Sequence, residues 1–217
     1  MLGHYYHTQR PMTGETAVDV MSSPQPGGRR PAPGELALVQ AFMNTRWDLR
    51  TGGNAEILVS AEALRDWLSA RGLVAGPKPL TSHDLDRALA VREGLRALAF
   101  ANNDHALDAG AVDAMRQASA GAGTEIYIEP GGPRFVADTT TGIDGAIGAL
   151  LAITARAMID GSWRRLKACP GRHCGWAFYD HSRNQSGRWC SMNVCGDRDK
   201  ARTYYRRKTA RRAPSDR

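Results

Sequence analysis

The sequence predicts a mainly helical α+β protein. A helical N-terminal domain carries one small β-hairpin, and a C-terminal module combines a hairpin with a basic helix. Three observations lead there. Apolar residues recur at helical spacing in five segments between Leu36 and Met158. One segment of that region, Glu125-Ile-Tyr-Ile-Glu129, alternates with period two and is followed by Pro130-Gly-Gly-Pro133 and a returning Arg134-Phe-Val-Ala137. All four cysteines fall inside 27 residues, immediately ahead of a run of basic residues.

Residues 1–33, with Ser22-Ser-Pro-Gln-Pro-Gly-Gly-Arg-Arg-Pro, have little to bury and read as a flexible segment, with order expected from Gly34. Leu36, Val39, Gln40 and Met43 share one face of a first helix that Asn44-Thr45-Arg46 ends; Trp47 and Leu49 suggest a short extended piece before a Gly52-Gly53 turn. Ser60 suits the N-cap of a second helix, with Leu64, Trp67 and Leu68 as its buried stripe and Gly72 as its stop. Thr81 or Ser82 caps a third helix that runs to about Phe100, with Ala88, Val91, Leu95 and Leu98 on its apolar face. A shorter helix is expected over Leu107 to Ala118. After the hairpin, the helix through Ala146, Ile147, Leu150, Leu151 and Met158 is apolar on most sides and should sit centrally. Trp163 to Lys167 then leads into Cys169 with almost no linker, so the C-terminal module should be docked rather than tethered. These features divide the chain into residues 1–33, 34–160, 161–212 and a tail of 213–217.

Charge divides it the same way. The net charge is +7, yet residues 161–217 hold 15 Lys/Arg against 4 Asp/Glu, and residues 1–160 hold 14 against 18. An acidic body with a basic end points to a polyanionic partner for that end. No charged and then apolar leader opens the chain, and its longest apolar stretch, Gly145 to Ala155, is too short to span a bilayer. The expected setting is a reducing cytoplasm with no membrane partner.

Cys169-Pro-Gly-Arg-His-Cys174 and Cys190-Ser-Met-Asn-Val-Cys195 are two pairs with four residues inside each and fifteen between them. Two such turns can each present two thiolates to one tetrahedral ion, and Zn²⁺ suits four sulfur ligands. Two disulfides would use the same cysteines but belong to short secreted chains, and redox dithiols usually leave two residues between their sulfurs. Cys169, Cys174, Cys190 and Cys195 are therefore read as a closed structural zinc site, with His173 and His181 as non-ligands. Trp176, Phe178 and Trp189 should pack over it as a miniature core, and a β-hairpin is expected between the two knuckles.

Beyond Cys195-Gly196, Asp197 should N-cap a helix reaching Arg212. Helical phase sets Ala201, Tyr204 and Tyr205 on one side, expected to pack on the finger, and Arg198, Arg202 and Arg206 on another, free to meet phosphates. With Lys200, Arg207 and Lys208, and with Arg183 and Arg188 of the finger, these form a candidate DNA-binding set. The same surface could instead hold a protein partner, such as part of the transcription machinery, with no nucleic-acid contact.

The pattern Cys169-x4-Cys174-Gly-Trp-x-Phe-Tyr-Asp-x-Ser-Arg-Asn, followed by Arg188-Trp-Cys-Ser-Met-x-x-Cys195-Gly-x-Arg198-x-Lys200-Ala-Arg-x-Tyr-Tyr, resembles the CGNR zinc-finger family. Phe42-Met-Asn-Thr45, Leu64-x-x-Trp-Leu68 and Arg92-Glu-x-Leu-Arg96 resemble its usual partner, the ABATE domain. The resemblance implies a bacterial, stress-related transcription regulator whose N-terminal domain senses a small ligand and whose finger binds DNA. Asp197 stands where the family's name motif has Asn. Asn44, Arg46, Trp47 and Arg92 are the candidate ligand-binding residues. Residues 34–160 hold two histidines, His83 and His105, and no Ser/His/Asp set, phosphate loop or H-E-x-x-H motif, so no catalytic activity is expected.

Overall fold

The computed structural model describes residues 25–47 and 55–210 of the 217-residue chain. Among them are six α-helices and three two-stranded antiparallel sheets. None of these helices is long and apolar enough to cross a membrane.

Helix α1 (Leu36–Met43) buries nearly its whole circumference, including Gln40. Its exit runs into β1 (Arg46–Trp47), which pairs with β2 (Ala55–Glu56). The Leu49 and Gly52-Gly53 expectations lie outside the described residues. Helix α2 (Ala61–Ser69) starts where Ser60 accepts a hydrogen bond from the Ala63 amide, and it buries Leu64, Trp67 and Leu68. Gly72 follows it in the left-handed region at φ +68°, a conformation that suits glycine.

Helix α3 (Ser82–Ala101) opens on a reciprocal capping box between Thr81 and Asp84. Helix α4 (Ala109–Ala118) begins two residues later than the apolar pattern suggests, because Asp108 caps it and Leu107 stays outside, exposed. The two helices cross tightly at Gly94, where a Cβ would fall 2.3 Å from Met115 Cβ.

Strands β3 (Glu125–Glu129) and β4 (Gly132–Val136) form the expected hairpin, with Ile126 opposite Phe135. Strand β3 is exposed along its length. Helix α5 (Ile143–Ile159) packs against α1 and α3 and contributes Ile147 and Leu150 to the core, centrally as its composition requires.

The main core extends past the helices. Strands β5 (Leu166–Ala168) and β6 (Ala177–Tyr179) pair antiparallel, Lys167 opposite Phe178, and every residue of both is buried. Leu166, Ala168, Ala177 and Tyr179 join the same apolar cluster as Phe42, Trp67, Leu95 and Leu150. Phe178 projects to the other face and belongs to a second cluster with the four cysteines, as the period-two alternation of a strand demands. This hairpin wraps around the first cysteine pair. The expected hairpin between the knuckles is therefore corrected: β6 does lie there, but it pairs back with the strand ahead of Cys169, and residues 181–189 are turn and coil.

Helix α6 (Asp197–Ala210) follows without a break from a π-helical turn over Met192–Gly196. Asp197 is already helical (φ −68°, ψ −32°), so it is the first residue of a continuing helix and not an N-cap. The N-terminal side departs from expectation as well. Residues 25–33, expected to be flexible, lie along the finger with Gln25 and Ala32 buried.

Candidate metal centre and cationic helix

The four cysteine sulfurs lie within 4.8 Å of one another, with Cys174–Cys190 at 3.6 Å and Cys190–Cys195 at 3.7 Å. Zn–S bonds of about 2.3 Å in a tetrahedron set sulfurs about 3.8 Å apart, whereas a disulfide would bring them to about 2.05 Å. All four thiols are buried and none is bridged. Backbone turns hold the arrangement. At the first knuckle, Cys174 N–H donates to Gly171 O (2.8 Å) and Gly175 N–H to Cys169 O (3.2 Å), with His173 and Gly175 both at positive φ. At the second, the amides of Cys195 and Gly196 both donate to Ser191 O, at 3.0 and 3.1 Å.

Four thiolates this close require a cation. Hydrogen bonds from Cys174, Cys190 and Cys195 hold the Cys169 thiol far below the usual thiol range. Hydrogen bonding to Cys169 pushes Cys174 and Cys190 far above it. A divalent ion replaces that proton sharing with four equivalent bonds, so the donor set and its spacing fit one structural Zn²⁺ with no open position. His173 hydrogen-bonds Arg172, and His181 faces the carbonyls of Arg30 and Pro31; neither joins the sulfur cluster. Phe178, Trp176 and Trp189 pack on it as the sequence suggests.

A second device pins the 181–189 loop. Asp180, fully buried, accepts from Lys167 Nζ (3.0 Å), the Ser182 amide (3.0 Å) and the Gly187 amide (2.7 Å). Burial alone would raise its pKa. The hydrogen bonds from Ser182, Lys167 and Gly187 outweigh burial and hold it at about 2. Lys167 also donates to Gly187 O at 3.0 Å, so its charge stays satisfied.

Side-chain amides then fasten the finger to the helical domain. Asn44 Nδ2 donates to Ala177 O (2.9 Å), and Asn44 Oδ1 accepts from Ala177 N–H (2.8 Å), so one side chain mimics a neighbouring strand. Asn103 donates to Ala168 O and Arg188 O, both at 2.9 Å; Asn102 donates to Trp163 O and Leu166 O. Arg96, largely buried, donates to Gly175 O (2.5 Å), to Met43 O and to Glu93 (3.0 Å). From the other side, Arg29 donates to Cys190 O and Trp189 O, both at 2.9 Å, with its guanidinium 4.9 Å from the Phe178 ring centroid. Gln25 accepts from the Trp176 indole at 3.0 Å.

Helix α6 leaves this frame with its described cations outward. Arg198, Lys200, Arg202 and Lys208 are exposed, and so are Arg183 and Arg188 in the loop of the finger. Lys200 pairs with Asp197 at 3.5 Å and Arg202 with Asp199 at 2.5 Å, single-turn surface pairs of small energetic weight. The side chains of Arg206 and Arg207 lie outside the described residues. Ala201, Tyr204 and Tyr205 were expected to pack on the finger but are exposed, the two tyrosines at 61% and 65%. Among the residues of this helix whose side chains are described, Asp199 and Thr203 are the half-buried ones, so it is turned by roughly half a revolution from the predicted orientation.

Comparison with protein-family models matches residues 36–161, more than half of the chain, to ABATE, described as a "putative stress-induced transcription regulator". The chain belongs to the ABATE family. Residues 165–208 match the CGNR zinc finger, so the ABATE domain is followed by that finger, as the motifs implied. No curated protein matches the chain significantly.

Within the ABATE domain, the ligand candidates occupy different settings. Arg92 is buried and forms a two-pronged pair with Glu56 (2.7 Å for each prong), with further bonds to Glu93 and Thr45. Arg46 is exposed, 3.8 Å from Glu93. Asn44 is engaged by the CGNR finger as described. The Trp47 side chain lies outside the described residues. Sequence reasoning missed Gln25, Arg29, Arg96, Asn102, Asn103 and Gln40, whose Nε2 donates to Ala177 O at 3.1 Å, as joint residues. For Arg92 and Arg96 a signal existed, since both fall on the stripe of Ala88, Val91, Leu95 and Ala99 that should face inward.

Proposed function

We propose that this ABATE-family protein is a zinc-dependent, DNA-binding transcription regulator in which the metal centre fixes α6 as a cationic rod against the phosphate backbone. The observation that carries the reading is the outward exposure of Arg198, Lys200, Arg202 and Lys208 on a helix that continues directly from the Cys195 turn. Arg183, Arg188, Arg206 and Arg207 extend the same set. Each phosphate neutralised by such a side chain releases counterions, so affinity falls with salt in proportion to the contacts made. The test is fluorescence anisotropy of duplex DNA across about 50 to 200 mM salt. Changing Arg198 and Arg202 to Ala should reduce the slope of log affinity against log salt by about one per lost contact. Unchanged affinity and slope would overturn the reading.

The regulatory input belongs to the ABATE domain. The Arg92–Glu56–Glu93–Arg46 cluster is the place where a small anion could exchange for a carboxylate of the protein, close to the Asn44 and Arg96 bonds that reach the finger. Thermal-shift screening with anionic metabolites tests this, and Arg46→Ala should abolish any stabilisation found.

A further inference from the structure

The outward face of α6 carries more than charge. At about 100° per residue, Tyr204, Lys208, Ala201 and Tyr205 occupy the centre of the face opposite the half-buried Asp199 and Thr203, and Arg198 and Arg202 border it beside Tyr205 while Lys200 borders it beside Tyr204. The two tyrosine rings stand 5.6 Å apart, edge to face. Two large aromatics exposed side by side would ordinarily be expected at a covered surface. Here they are ringed by cations on a helix with six basic and two acidic residues.

A row of phosphate-binding cations needs no aromatic centre to hold duplex DNA, because paired bases present their edges and keep their faces stacked. Aromatic faces beside cations suit unpaired bases, which can lie on the ring while the phosphates meet the flanking guanidinium and ammonium groups. We propose that Tyr204 and Tyr205 form a base-stacking platform, and that α6 prefers single-stranded nucleic acid, as in a melted duplex or a transcript, over intact duplex. This rests on the nucleic-acid reading above and specifies its partner.

The test measures anisotropy for labelled oligothymidylate, oligouridylate and a duplex, with the full zinc-loaded chain. The double change Tyr204→Ala and Tyr205→Ala should weaken binding of the single strands by about tenfold or more and leave the duplex within about twofold, because stacking is lost and charge is kept. Tyr204→Phe with Tyr205→Phe should retain single-strand binding, since the rings remain. Circular dichroism and zinc content report whether each variant is folded, which the exposure of both residues favours. The ratio between the thymidylate and uridylate arms identifies DNA or RNA as the preferred source. Single-strand affinity that is insensitive to the alanine pair, or an equal loss on single strand and duplex, would overturn the platform while leaving a salt-dependent DNA binder intact. Wild-type protein that binds none of the three probes would overturn both readings.

Discussion

Arg92 and Arg96 in α3 and Arg198 and Arg202 in α6 are the same side chain, each pair spaced by four residues on a helix, yet their surroundings are opposite. The first pair is buried, and its donors go to Glu56, Glu93 and the carbonyls of Met43 and Gly175. The second pair is exposed. Burial turns an arginine into an internal fastener, because desolvating a guanidinium is tolerable only where its hydrogen bonds are satisfied. Exposure keeps it available to an outside anion. A basic total therefore says little until the helix phase of each cation is known.

The contrast can be broken in order of effect. Stripping zinc with a chelator, or Cys190→Ser, should collapse the finger and disorder α6, with apparent metal-linked stability on the order of 10 kcal/mol in such modules; elemental analysis should return one zinc per native chain, and circular dichroism should lose the α6 signal after removal. Arg96→Met should lower stability by about 3 kcal/mol, because carbonyls on both sides of the joint lose their donor; urea unfolding measures it. Asp180→Asn should cost about 2 kcal/mol at neutral pH, following from a pKa held at about 2 against the ordinary 3.8. Because the folded pKa is depressed, that stability is fully present above about pH 4 and is lost as pH falls toward 2, and unfolding curves of wild type and variant should converge over that interval. Arg198→Ala with Arg202→Ala should shift stability by less than about 0.5 kcal/mol while weakening nucleic-acid binding, which separates the outward arginines from the inward ones.

The elements with strong local signals were legible in the sequence. Ser60 caps the helix that it was expected to cap, Thr81 is the cap of the two candidates Thr81 and Ser82, and the four-cysteine spacing led to the metal centre. The failures share one cause, which is that pairing and rotation depend on distant partners. Composition gives β6 strand character, but its partner is β5, since Asn44 and Asn103 hold that pair against the helical core. The periodicity of α6 placed Arg198 and Arg202 outward correctly but turned the tyrosine side inward, where Asp199 and Thr203 are half-buried instead, because the tyrosines look like packing residues until the finger's own core is seen to be complete without them. Residues 25–33 read as flexible because proline and glycine dominate, yet a single glutamine and a single arginine among them find backbone and indole partners on the finger.

Those two residues have a mechanical meaning. Arg29 lies upstream of the six described α-helices and grips the peptide carbonyl of Cys190, 161 positions later, so the described chain from Arg29 to Cys190 closes into a loop through its own helical body. Neither family segment, 36–161 or 165–208, contains the clasp, and excising either one severs it. Tension applied ahead of Gln25 reaches the finger and α1 together, because Gln25 Oε1 accepts from the Trp176 indole and from Gln40 Nε2.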